Sequence, residues 1–136
     1  MRVACGVLMK NEKILITKRP PDVHLGNYWE FPGGKILEQE TPEEGLYREM
    51  KEELGISVKI VRSLGIVEHH YQKPIPKWVK LYFFLCQILN GKPEAITASQ
   101  MLWVKPMNLK DFCFPPADKN LIQTLPQTLL PHEDHE

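Results

Sequence analysis

The sequence predicts an α+β fold, with helices packed on a mixed β-sheet in one domain. Three observations predict it. Short runs rich in Val and Ile, several bounded by Gly, Pro or Asn, recur along the chain and suit strands. A helix with strong start and stop signals opens at Thr41, and a second helical segment follows Phe114-Pro115-Pro116. The 136 residues fit one domain of ordinary size, with no repeat and no internal boundary.

The elements follow in order. Val3 to Met9 is apolar and small, as in a buried strand. After the polar break Asn11-Glu12, Lys13 to Lys18 resumes with Ile14 and Ile16 alternating against Lys13, Leu15 and Thr17, which predicts two strands and a short turn. Arg19-Pro20-Pro21-Asp22 ends the second strand, because proline cannot donate to a ladder. Tyr28 to Phe31 is a short extended piece ended by Pro32-Gly33-Gly34. Thr41 is the N-cap of the first helix, Pro42 its first residue and Glu44 the partner in a capping box. The helix ends at Leu54, where Gly55 can take the left-handed conformation. Ser57 to Tyr71 reads as one long or broken strand, Trp78 to Leu89 as a strongly apolar one and Met101 to Val104 as a short one. Asn108 to Phe112 reads as one helical turn with an Asn cap. Ala117 to Leu125 reads as the second helix, broken by Pro126. The domain is therefore expected over residues 1–126, with a frayed tail over 127–136.

Composition narrows the function. Lys and Arg number 17 and Asp and Glu number 17, so the formal net charge is zero. That argues against direct DNA or RNA binding, which needs a basic surface. No apolar run reaches the roughly 18 residues of a membrane span, and the N-terminus lacks a signal-peptide profile. Cys5, Cys86 and Cys113 are odd in number and widely spaced, which suggests neither a disulfide framework nor a zinc site. The expectation is a cytoplasmic monomer with reduced cysteines.

The chemistry centres on the helix after Thr41. With Leu46 set at 0°, Met50, Leu54 and Tyr47 fall at about 40°, 80° and 100° and form the buried arc. Glu53, Glu49 and Glu52 fall at about 340°, 300° and 240°, on one neighbouring arc. Three crowded carboxylates repel one another unless a cation sits among them, and hard oxygen ligands suit Mg²⁺ or Mn²⁺. An ordinary solvated Glu/Lys face is the plainer alternative. Gly33-Gly34-Lys35 and Glu40 tip the balance, bringing backbone amides, a cation and a fourth acid near the same helix. Arg48 stands four residues before Glu52 and can pair with it. Gly45 lies within the acidic arc and leaves room for something to rest against the glutamates.

The spacing from Gly34 through Glu40 to Arg48-Glu49-Met50-Lys51-Glu52-Glu53-Leu54-Gly55-Ile56 resembles the complete Nudix box. Trp29 to Lys35, Ile16 to Arg19 and Phe114 to Asp118 resemble the MutT branch of that superfamily, the 8-oxo-dGTP diphosphatase type. The resemblance implies a Nudix fold, a mixed β-sheet sandwiched between helices. It implies Mg²⁺-dependent hydrolysis of a nucleoside triphosphate to the monophosphate and pyrophosphate, with oxidised dGTP a frequent substrate. On this basis Gly34 (through its carbonyl), Glu49, Glu52 and Glu53 are metal ligands. Arg48 orients a helix carboxylate, Glu40 stabilises the loop, and Lys35 and Arg19 contact phosphates. Either Glu53 or Glu52 takes the proton from water. Phe31 and Tyr71, with Trp78 as a weaker candidate, offer stacking faces for a base. His69 and His70 are neighbours on a strand, point to opposite faces and cannot easily share a metal.

Two positions depart from the branch. Its members usually carry a Glu about six residues ahead of the Trp that is here Trp103, and this chain has Thr97 there, with Glu94 the nearest acid. The fifth position of Phe-Pro-Pro-Ala-x is often an Asn that reads a purine edge, and here it is Asp118. An ionised Asp accepts but does not donate, whereas a protonated one can do both. Asp118 can equally serve as a cap for the helix that begins there. Alternative readings are a Nudix hydrolase of a pyrimidine triphosphate, a dinucleoside polyphosphate or ADP-ribose, and a non-catalytic module that senses a nucleotide.

Overall fold

The computed structural model describes residues 1–129. Seven strands form a mixed sheet: β1 (Arg2–Lys10), β2 (Lys13–Lys18), β3 (Trp29–Glu30), β4 (Gly33–Lys35), β5 (Ser57–Tyr71), β6 (Lys77–Asn90) and β7 (Gln100–Val104). Two helices, α1 (Pro42–Leu54) and α2 (Lys119–Thr128), cover it, with 3₁₀ turns at Pro106–Asp111 and Pro116–Asp118. The expected sheet between helices is observed.

The sheet is buried on both sides, which explains why β2 does not look amphipathic. Ile14 and Ile16 join one apolar cluster with Phe83, Leu109, Leu121 and Leu125 on the α2 side. Leu15 points the other way, into a cluster with Leu8, Leu46, Met50 and Leu54 on the α1 side. Helix α1 has the expected caps. Thr41 accepts from the Glu44 amide, Glu44 accepts from the Thr41 amide, and Gly55 takes φ +71°.

The topology opens the sheet at one place. β1 and β2 pair only next to their turn, at Met9↔Ile14 and Lys10↔Lys13. Beyond that they diverge. β1 runs antiparallel to β4 over Val3–Cys5 and parallel to β6, while β2 takes β3 and β7 as partners. Residues 29–35 therefore start on β2 and cross to β1, with the Pro32 carbonyl accepting from the Gly6 amide at 2.8 Å. Only glycine fits at Gly33, where φ is +152° and a Cβ would collide with the Ala4 carbonyl.

Five expectations are corrected. Gly33–Lys35 is a strand and not merely a stop, because β1 offers it a free edge. Tyr47 is 45% exposed, since the sheet covers only the strip from Leu46 to Leu54 and the 100° side overhangs it. Gly45 is buried against Ile36 and Glu40, so the space it leaves is filled by the protein's own loop. The turn near Asn108 starts at Pro106 and has no side-chain cap. Finally, Pro126 lies inside α2. It lies within the last turn, and the Leu129 amide still reaches the Leu125 carbonyl at 2.9 Å, so the helix runs on to Thr128. The rest of the expected tail, residues 130–136, lies outside the described residues.

Candidate active site

Two cavities meet where the chain crosses between strands. The larger, of about 390 Å³, is lined among others by Arg19, Phe31, Gly34, Lys35, Glu53, Tyr71 and Asp118. The smaller, of about 220 Å³, is lined by Thr17, Val23, Thr97 and Ala98. Arg19, Glu30 and Glu53 belong to both.

Arg48 organises the helix carboxylates. Its Nε donates to Glu40 at 2.6 Å, its Nη1 to Glu49 at 2.9 Å and to Glu52 at 3.2 Å, and its Nη2 to the Lys35 carbonyl at 2.8 Å. Glu40 also accepts from the Leu37 amide at 2.8 Å, which fixes the loop before the helix. The Arg48 contact, then the Leu37 amide, hold the Glu40 carboxyl below the usual range. Glu49 lies against Gly34 so closely that a Cβ there would stand 2.5 Å from its carboxyl carbon. Glu53 accepts from the Gly33 amide at 3.2 Å. Burial raises the Glu53 pKa to about 7, and the charges of Glu49 and Glu30 add to the rise.

Among the described residues, no three acidic, His or Cys side chains converge on a point that could hold a metal as they stand. Arg48 draws Glu49 and Glu52 to itself, and Glu53 is turned to the Gly33 amide. The donor set nevertheless fits a hard divalent cation in kind: every candidate is an oxygen, and Glu53 makes no salt bridge with any cationic side chain among the described residues. Glu52 is 59% exposed and lines neither cavity, so it stands apart from Glu53.

The other expected residues divide. Lys35 is exposed at the larger cavity. Phe31 is only 3% exposed and packs on Phe83 and Phe114, so it contributes an edge of the core more than a free stacking face. Tyr71 is half-buried and touches the rings of His24 and His69. Trp78 is 63% exposed, stacks on His70 and does not reach the cavity. His69 and His70 face opposite ways, as strand geometry requires. Asp118 is 5% exposed and opens on the larger cavity. It stands at the N-cap position of α2 but makes no side-chain cap bond, because its backbone is already helical. Burial, and secondarily Glu30, raise its pKa to about 7.

At the site of the missing acid, Thr97 lines the smaller cavity and Glu94 is exposed outside it. The Glu94 and Ile96 amides bond to the Leu54 and Glu53 carbonyls at 3.1 and 3.2 Å, anchoring this loop to the end of α1. Sequence reading missed Glu30 and His24. Glu30 pairs with Arg19 at 3.2 Å, and burial raises its pKa despite that pairing. The signal available was proximity: Glu30 directly precedes Phe31-Pro32-Gly33-Gly34.

Residues 3–124 match the family model described as a NUDIX domain. A relative named 8-oxo-dGTP diphosphatase from Escherichia coli K12 is 32% identical over 126 residues, covering 92% of this chain and 95% of its own. A CTP pyrophosphohydrolase from the same organism is 26% identical over 123 residues, covering 90% and 89%. The solution structure of a MutT protein of the Nudix hydrolase family from methicillin-resistant Staphylococcus aureus superposes with a TM-score of 0.76 at 25% identity, covering 93% and 95%.

Proposed function

Since the chain belongs to the Nudix hydrolase family, we propose that it is a Mg²⁺-dependent pyrophosphohydrolase of nucleoside triphosphates, oxidised dGTP foremost. Its products are the nucleoside monophosphate and pyrophosphate. One observation carries the reading: Glu53 of the acidic arc and the buried Asp118 open on the same cavity of about 390 Å³, with Arg19 and Lys35 also on its wall. That volume falls within the range of small-molecule sites.

Glu49, Glu52, Glu53 and the Gly34 carbonyl would hold the metal, which when bound supplies neutralisation of phosphate oxygens and a more acidic attacking water. Arg48 holds Glu49 and Glu52 in place until the ligands are recruited. Glu53 is the proton acceptor of choice over Glu52, because it lines both cavities and Glu52 lines neither. With Thr97 in place of the expected acid and Glu94 outside, the loop before β7 brings no carboxylate to either cavity. Lys35 and Arg19 provide positive charge along the phosphates. Asp118 reads the base, with Phe31 and Tyr71 on the same cavity. The catalytic domain on this reading spans the matched residues and the remainder of α2. We also take the protein as a cytoplasmic monomer that does not bind DNA or RNA, in keeping with its zero net charge.

The test is a nucleotide panel with Mg²⁺, scoring pyrophosphate separately from phosphate. Oxidised and ordinary purine triphosphates, CTP, a dinucleoside polyphosphate and ADP-ribose are compared. The expected result is pyrophosphate release, fastest from oxidised dGTP. A protein that hydrolyses no nucleoside triphosphate would sink the reading, and a preference for CTP would move it to the pyrimidine alternative.

A further inference from the structure

We propose that Glu30 is a positioning residue that clamps Arg19, and that Arg19 in turn braces the 20–28 loop forming one wall of the nucleotide cavity. This deepens the reading above and rests on it for its kinetic part only.

Glu30 is fixed by the sheet, since β3 pairs with β2 at Thr17↔Glu30 and Lys18↔Trp29. Its two oxygens accept from Arg19 Nη1 at 3.2 and 3.5 Å. The same guanidinium donates through Nε to the His24 carbonyl at 2.9 Å. One planar fork therefore ties a rigid strand to the middle of a loop. A lysine presents a single compact head and cannot reproduce that fork.

The loop needs such a tie. Leu25 and Asn27 sit at φ +56° and +66°, a region that side-chain-bearing residues enter at a cost. Backbone bonds close its base, Arg19 amide to Tyr28 carbonyl at 2.9 Å and Asn27 amide to Arg19 carbonyl at 3.1 Å, and its tip has only Tyr28 amide to Leu25 carbonyl at 3.2 Å. Its other anchor is the edge-to-face contact of His24 with Tyr71, at 5.5 Å between ring centres. His24 and Leu25 both line the larger cavity, on which Asp118 also opens. Holding the His24 carbonyl thus sets the shape of the wall against which a nucleotide must fit. The expected phosphate contact of Arg19 is left to its Nη2, because its Nε and Nη1 donate to the protein.

The test uses hydrogen exchange on the free protein and steady-state kinetics together. Glu30→Ala should speed exchange at the Asn27 and Tyr28 amides about tenfold and raise KM about five- to tenfold, with kcat changed less than about threefold. Arg19→Lys should speed exchange at the same amides, and the double variant should exchange no faster than Arg19→Lys alone. Glu30→Gln, which keeps a neutral acceptor, should restore part of the protection. Exchange unchanged in both single variants overturns the proposal, as does a kcat loss of about 100-fold at constant KM, which would put Glu30 in the chemistry. If Glu30→Ala does not fold, the exchange of Arg19→Lys decides. A wild-type protein inactive on every triphosphate would fail the functional reading while leaving the exchange arm to judge the clamp.

Discussion

Asp118 carries a pH dependence whose sign can be worked out. Its folded pKa of about 7 lies above the ordinary aspartate value, so the fold prefers the protonated form. Its stabilising contribution is full at low pH, falls as pH rises toward about 7, and stays lost above that. Glu30, Tyr71 and Cys5 are the titratable groups coupled to it, and none supplies a compensating positive charge. Asp118→Asn should therefore gain on the wild type by about 2 kcal/mol between about pH 5 and about pH 8, measured by denaturant unfolding. The same change should flatten the pH dependence of nucleoside monophosphate binding, because an amide donates and accepts at every pH. A second residue-scale prediction concerns Glu53. Glu53→Gln should lower kcat by about 10²–10⁴-fold with the melting temperature preserved, since the amide oxygen can still accept from Gly33. Near-full activity in that variant would show the base to lie elsewhere. The residue types at both positions were legible in the sequence. The burial that raises the Asp118 pKa was not, because it depends on strands and turns far apart in the chain.

Helix α1 was the most legible element. Its caps, its ends and the Leu46, Met50 and Leu54 stripe follow from local chemistry alone, which a short segment carries with it. Its outer rim was less legible. Tyr47 stands exposed and Gly45 is filled by Ile36, because what covers a helix face is decided by neighbours and not by its own periodicity. β4 was missed for a related reason: three residues, two of them glycine, have no strand propensity and pair only because β1 presents an edge. The approach of β4 to α1 makes a prediction at this scale. Gly34→Ala would push a Cβ to 2.5 Å from the Glu49 carboxyl carbon. The side chain can turn aside, so stability should change little, but kcat should fall about 10²-fold as a candidate metal ligand is displaced. Activity at the wild-type level would place Glu49 outside the metal site.

At the scale of the molecule, two apolar clusters on opposite faces of the sheet hold the fold. Chelating divalent ions should abolish turnover while shifting the melting temperature by no more than a few degrees, on the order of 1 kcal/mol in a domain of this size. Unfolding on chelation would show the metal to be structural. The β1–β2 hairpin, parted after its first pairs, is what allows residues 29–35 to change partner and bring Glu30, Gly33 and Gly34 beside Glu53.

By itself the sequence pointed to the reaction chemistry, because the acidic helix, its caps and Lys35 lie in one stretch from Gly34 to Ile56 whose spacing carries the family resemblance, with Arg19 outside it. It also determined the fold class, through the order of strands and helices. Tertiary structure decided the rest. It separated Glu53 from Glu52 as the residue facing the cavities, withdrew Trp78 and the capping role of Asp118, and tied Arg19 to Glu30. Each of these depends on burial and on contacts between elements remote in sequence, and no local pattern of residues encodes which of them will meet.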